Sequence, residues 1–94
     1  MEVQIKPTEF YVIAACAPGA CVKFWRSKAS GGEWVADIAK AKHYATIGIA
    51  KSANNNNNGY LYHWGKVSML QQYGNDVSFH VLKATAHVEL LVAD

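Results

Sequence analysis

The sequence predicts an all-β domain, an antiparallel sandwich or small barrel of about seven to eight strands. Strand-length apolar runs recur every ~8–12 residues, with turn residues between them. Val77, Phe79 and Val81 alternate with polar neighbours, as in a strand that has one buried face. The chain has 94 residues, 51% of them hydrophobic, which suits one core. We therefore expect residues 1–94 to form a single β-rich domain.

The C-terminal part is predicted to supply three strands, at residues 60–71, 77–82 and 86–92. The apolar positions change from odd to even numbers across residues 83–85, which predicts a bulge, a bend or a tight turn there. The stretch from Tyr73 to Asp76 contains Gly74 and Asn75, which tolerate a positive φ, and it is predicted to be a turn.

The N-terminal part begins with a possible short edge strand at residues 3–6, which Pro7 ends. Residues 10–16 are almost continuously apolar, so we expect a central strand. Pro18 and Gly19 fit the two inner positions of a type II turn, and residues 21–28 are the predicted returning strand.

Residues 31–42 allow two interpretations. Ser30 followed by Glu33 matches a capping box and predicts a short helix over 31–42. A Gly-Gly hairpin would instead lead into a strand at 34–39, which we favour because the flanking segments have strand patterns. Residues 43–50 are a further predicted strand, and the asparagine run at 54–58 is a predicted loop.

The charge and the N-terminus exclude some classes of protein. The formal net charge of +2 is too small to indicate a polyanion partner. No signal peptide pattern and no apolar run of ~20 residues is visible, so we expect a soluble protein made in the cytosol without a membrane partner. A virion component would have the same profile.

Cys16 and Cys21 flank the Pro-Gly turn. Facing positions in a hairpin lie close enough for a disulfide. Without an export signal, however, two buried thiols are the expected state. Their spacing does not match a zinc site, and no nucleotide-binding or hydrolase motif is present, so we expect no metal and no cofactor.

The aromatic residues are the most suggestive candidates for binding. In a strand, Tyr60, Tyr62 and Trp64 would share one face beside the asparagine loop. Basic residues accompany the aromatic residues of the middle third, as on surfaces that bind single-stranded nucleic acid. The predicted surface comprises Tyr60, Tyr62, Trp64, Trp25, Arg26, Lys28 and Lys42.

These observations predict a non-catalytic protein-interaction or assembly module, with a protein partner or a homo-oligomer. Phage decoration proteins and phage-encoded inhibitors have this profile, although fold class does not imply function. One alternative is a β-surface binder of single-stranded nucleic acid or carbohydrate. Another is a small enzyme that uses Cys16 or Cys21 with a histidine.

Overall fold

The structure is a computed structural model that describes residues 8–27, 33–59 and 61–86. It contains one open antiparallel sheet and helices that pack against one face of it. The strands are β1 (Thr8–Cys16), β2 (Lys23–Ser27), β3 (Glu33–Val35) and β4 (Ser78–Ala86). The helices are α1 (Ile47–Asn55) and α2 (Val67–Tyr73), which continues a π-helical segment (Leu61–Lys66) without a break.

The four-stranded sheet has the order β3-β2-β1-β4, so β1 lies between β2 and β4. All nine residues of β1 pair with β4, from Thr8 opposite Ala86 to Cys16 opposite Ser78. Val12 and Ile13 are fully buried on opposite faces of β1. The prediction of a central strand at 10–16 is therefore confirmed.

The predicted all-β sandwich or barrel is wrong, because the chain forms a small α+β domain. The first error is the strand predicted at 43–50. Thr46 is the N-cap of α1, where its Oγ1 accepts a hydrogen bond of 3.2 Å from the Ile49 amide. The predicted asparagine loop is also shorter than expected, because α1 continues to Asn55.

The second error is the strand predicted at 60–71. Leu61, Gly65 and Met69 are spaced four residues apart and are all buried, so they form the inner face of a helical segment. The Trp34 indole N–H donates to the Gly65 carbonyl at 3.1 Å, which attaches this segment to β3. Lys66 Nζ donates to the Asn54 carbonyl near the end of α1, and burial lowers the pKa of Lys66.

The change of apolar parity at 83–85 produces neither a bulge nor a tight turn between two strands. β4 runs through these residues from Ser78 to Ala86 and keeps an unbroken register with β1, so the division into strands at 77–82 and 86–92 is wrong. Instead, the two ends of β4 pack on different faces of the sheet. Phe79 and Val81 pack beneath the helices, whereas Ala84 packs with Phe10 and Val12 on the other face. The strand predicted at 3–6 lies outside the described residues. Of the strand predicted at 86–92, only Ala86 is described, as the last residue of β4.

The turns were predicted more accurately. The Ala20 amide bonds to the Ala17 carbonyl at 3.1 Å, and Gly19 has a φ of 73°, as a type II turn requires. The predicted turn at 73–76 is also confirmed, with Gly74 at a φ of 76°.

The strand predicted at 34–39 is present only as β3, which ends at Val35. A single 3₁₀ turn (Ile38–Lys40), capped by Asp37, follows it. The alternative helix over 31–42 is therefore wrong for its described part, 33–42.

Residues 42–44 lie between β1 and β2 where the two strands separate. Tyr44 exchanges backbone hydrogen bonds of 2.8 and 2.9 Å with Tyr11, and the Lys42 amide donates to the Trp25 carbonyl at 2.9 Å. His43 stacks on Phe10 with a ring separation of 3.8 Å. Tyr44 is buried, and this burial raises the pKa of its hydroxyl. This short segment thus completes the sheet without being a strand.

We predict that Gly65→Ala destabilises the protein by about 1–3 kcal/mol, because overpacking forces a rigid neighbour to move. A Cβ at this position would lie 2.7 Å from Cζ3 of the buried Trp25 ring. Urea unfolding followed by circular dichroism measures the effect.

The matched control is Gly48→Ala in α1, where an added Cβ meets no atom within 4 Å. Alanine is the better helix former, so this variant should lose no stability and gain up to about 1 kcal/mol. Equal stabilities for the two variants would show that Gly65 is not closely packed.

Candidate functional site

The described residues of the predicted binding surface have different surroundings. Trp25 is 3% exposed and belongs to the core, so it is not a surface residue. Arg26 is paired with Glu33 at 3.2 Å, and Lys42 lies 5.3 Å from the centre of the Tyr44 ring. Tyr60 and Lys28 lie outside the described residues. The proposed basic and aromatic residues therefore have separate local partners.

Among the described aromatic residues of that set, Trp64 is the well-exposed one, at 50%. With Asn58, Gly59 and His63 it lines an open depression of about 610 Å³. Tyr62 is half-buried and meets His63 edge-on, with ring centres 5.4 Å apart. The strand-based expectation that Tyr62 and Trp64 share a face is wrong, because both lie in the π-helical segment. One aromatic ring beside amide and imidazole groups can still stack on a small flat ligand.

Cys16 and Cys21 are free cysteines in the structure, the first half-buried and the second exposed. The last paired residues before the turn are Ala15 and Lys23. If continued, this register would place Val22, rather than Cys21, opposite Cys16.

Cys16 instead pairs with Ser78 of β4, whose Oγ lies 2.8 Å from His80 Nε2. A hydroxyl within hydrogen-bond reach of an imidazole is the first requirement of a nucleophile–base pair. A functional pair also needs a third group that orients the imidazole. Among the described contacts no carboxylate reaches His80, and both Ser78 and His80 are exposed. We therefore interpret the contact as a local surface hydrogen bond.

The outer edge of β4 is a row of backbone N–H and C=O groups whose directions follow from the hydrogen bonds of β1. Tyr11 directs both its N–H and its C=O to Tyr44, on the side of β1 away from β4. Tyr11 and its partner in β4, Lys83, are therefore a pair that exchanges no hydrogen bonds. The N–H and C=O of Lys83 point away from β1, because hydrogen-bonded and non-hydrogen-bonded pairs alternate along an antiparallel ladder. By the same alternation Phe79, Val81 and Thr85 also present their peptide groups at the outer edge.

Within residues 8–27, 33–59 and 61–86, no strand pairs with this edge of β4. The side chains of Ser78, His80, Leu82, Lys83 and Thr85 are exposed. Unpaired strand edges of this length readily accept another strand. Sequence reasoning identified most of the strand itself but not its place at the edge, since strand order depends on contacts between distant segments.

The described residues contain no cluster of histidine, cysteine or carboxylate side chains that could hold a metal ion. Nor does any helix among them have the length and apolar character needed to cross a bilayer.

Comparisons with known proteins found no match: no family model fits the sequence, and no curated protein or solved structure is significantly similar to it.

We predict a small and a large effect on stability for two tryptophans that the sequence placed on one surface. Trp64→Ala should lower the free energy of unfolding by only about 1 kcal/mol, because half of the side chain is already exposed. Trp25→Ala should cost about 3–5 kcal/mol, because it leaves a cavity in the core.

Urea unfolding of both variants measures this difference, and acrylamide quenching of tryptophan fluorescence provides a second test. Loss of Trp64 should remove the most accessible component of the emission. A large loss of stability in Trp64→Ala would contradict the exposed position.

Proposed function

We propose that the protein is a non-catalytic protein-interaction module that binds its partner by strand addition at the outer edge of β4. The observation that carries this proposal is the row of outward-facing peptide groups at Phe79, Val81, Lys83 and Thr85. In strand addition, main-chain hydrogen bonds supply affinity and alternate side-chain positions supply specificity.

The side chains along β4 offer different surfaces to an added strand. On the helix side, Val81 is half-buried and Lys83 is exposed, with Lys83 Nζ 3.2 Å from a Glu9 carboxylate oxygen. On the opposite side, His80 and Leu82 are exposed. An extended partner with apolar residues opposite Val81 and Leu82 would complement this edge.

That the module is non-catalytic stays a prediction. The expectation of a virion or phage-inhibitor role stays a prediction.

Binding to a displayed library of random extended peptides tests the proposal. Peptides selected on the wild-type chain should lose at least about tenfold in affinity for Lys83→Pro, because proline removes an outward N–H and places its ring at the edge. The Lys83 N–H does not bond to β1, so the sheet should tolerate this proline. Circular dichroism and thermal unfolding verify that the variant is folded.

The control is Lys83→Ala, which removes the same side chain but keeps the amide. It should retain the selected peptides within about threefold, since an exposed ion pair contributes little. If no peptide is selected, or if the peptides bind Lys83→Pro as well as the wild type, strand addition at β4 is wrong.

The depression beside Trp64 favours a second candidate function, the binding of a carbohydrate. Sugar rings stack on exposed aromatic faces, and the Asn58 and His63 side chains can supply hydrogen bonds. The nucleic-acid version is less well supported, because Arg26 is paired with Glu33 and Trp25 is buried.

A glycan array distinguishes this candidate from the first. A glycan that binds the wild type should be lost with Trp64→Ala and retained with Lys83→Pro. Absence of any glycan signal on the wild type would remove the carbohydrate candidate and leave strand addition unaffected.

A further inference from the structure

The two cysteines of the chain lie on either side of the turn between β1 and β2. The Ala20 amide donates to the Ala17 carbonyl at 3.1 Å, and such a turn brings the Cα atoms at its two ends within about 7 Å. Cys16 directly precedes the first of these residues, and Cys21 directly follows the second. The hydrogen bond of the turn therefore holds together the two chain segments that carry the cysteines.

The register changes by one residue between this turn and the strands. The first regular pair beyond the turn joins Ala15 to Lys23. Between the turn and this pair, β1 contributes one residue, Cys16, and the returning segment contributes two, Cys21 and Val22. Two residues opposite one is the arrangement of a β-bulge. The regular register alone would place only Val22 opposite Cys16, but the bulge places Cys21 there as well.

We propose that Cys16 and Cys21 are a reversible dithiol–disulfide pair that exchanges with a small-molecule disulfide of the oxidised glutathione type. Facing residues of an antiparallel ladder have Cα atoms about 4.5–5.5 Å apart, which is within the range that a disulfide accepts. Both residues are free thiols in the structure, which therefore shows the reduced form. The pair is independent of strand addition, because β2 and β4 lie on opposite sides of β1.

The unequal exposure of the two thiols sets the order of the reaction. The sequence predicts two buried thiols, but Cys21 is exposed and Cys16 is half-buried. The Cys21 thiolate attacks one sulfur of the small disulfide, forms a mixed disulfide and releases one thiolate. The Cys16 thiolate then attacks the Cys21 sulfur, which closes the internal disulfide and releases the second thiolate. The protons of the two cysteines pass to the two released thiolates, so two cysteines are oxidised and one small disulfide is reduced.

The internal disulfide should be readily reduced again. Free thiols reach an exposed disulfide easily, and such disulfides are the labile ones. The loop between the two cysteines is also short, so closing it constrains the unfolded chain less than a long-range disulfide would. These properties are those of a site that responds to the redox state of its surroundings, rather than those of a permanent structural disulfide.

Equilibration with glutathione buffers of increasing oxidising strength tests the pair. After an acid quench and alkylation of the remaining thiols, intact-mass spectrometry should show one main oxidised species. This species has lost two hydrogen atoms and carries neither glutathione nor alkyl groups, and reduced glutathione should convert it back to the dithiol. A wild type that stays reduced in oxidised glutathione, stops at mixed disulfides or forms disulfide-linked dimers would overturn the inference.

The single variants Cys16→Ser and Cys21→Ser test the order of attack. Cys16→Ser should accumulate a mixed disulfide with glutathione at Cys21, since no second thiol remains to displace it. Cys21→Ser should react at least about tenfold more slowly, because the exchange rate depends on access to the attacking sulfur. Equal rates for the two variants would show that exposure does not set the order.

The matched control moves the exposed thiol away from the turn without changing the composition of the chain. It combines Cys21→Ser with Ser52→Cys, which lies at an exposed position of α1. This helix packs on the Ile13 face of β1, whereas Cys16 has the parity of Val12 on the other face. The control should form at least about tenfold less internal disulfide than the wild type, because its thiols are too far apart. Comparable closure in both proteins would overturn the placement of Cys21 opposite Cys16.

Unfolding provides the last test, because an unfolded chain can also close a short loop. The wild type should favour the disulfide at least about tenfold more in buffer than in concentrated urea, since the folded hairpin raises the effective concentration of one thiol at the other. The measured quantity is the glutathione ratio at which half of the chain is oxidised, and circular dichroism verifies that all variants are folded in buffer. An equal ratio in both conditions would show that the fold does not bring the cysteines together.

Discussion

The long antiparallel ladder between β1 and β4 is the interaction on which the other elements depend. Its strands are far apart in the chain, with Cys16 facing Ser78 across 62 residues. All the other elements lie between these two strands in the chain. The buried residues of the helical segments pack against both strands, through Ile13 and Ala15 of β1 and Phe79 and Val81 of β4. Pairing over such a separation carries a substantial entropic cost before any contact compensates for it. Burial on both faces of β1 supplies the compensation, through Ile13 beneath the helices and Val12 on the other side.

The sequence was sufficient to predict those elements whose conformation depends on a few neighbouring residues. The Pro-Gly turn, the turn at Gly74 and the apolar run of β1 were all predictable, because a positive φ or continuous burial restricts the residue types allowed. The helices were missed for a related reason. Thr46 was assigned to the middle of a strand although it is a good N-cap, and Leu61, Gly65 and Met69 carry a four-residue spacing that aromatic alternation obscured. A π-helical segment also departs from the usual helical period, which weakens the pattern further.

The candidate site was less predictable than the fold. The sequence drew attention to aromatic residues, but Trp25 packs against Gly65 in the interior and Trp34 uses its indole N–H to hold the π-helical segment. Composition does not distinguish an aromatic residue that fills a core from one that meets a ligand. The open edge of β4 involves peptide groups, which every residue has, so no residue type identifies it. Only the strand order and the Tyr11–Tyr44 bridge show which amides face outward.

Within residues 8–27, 33–59 and 61–86, the two edges of the sheet differ in length. The described part of β4 has nine residues, whereas that of β3 at the opposite edge has three, and Glu33 of β3 is paired with Arg26. A short edge that carries charge is a poor template for another strand. Strand addition, as proposed above, would therefore be confined to one edge of the sheet, which limits the association to a single added strand.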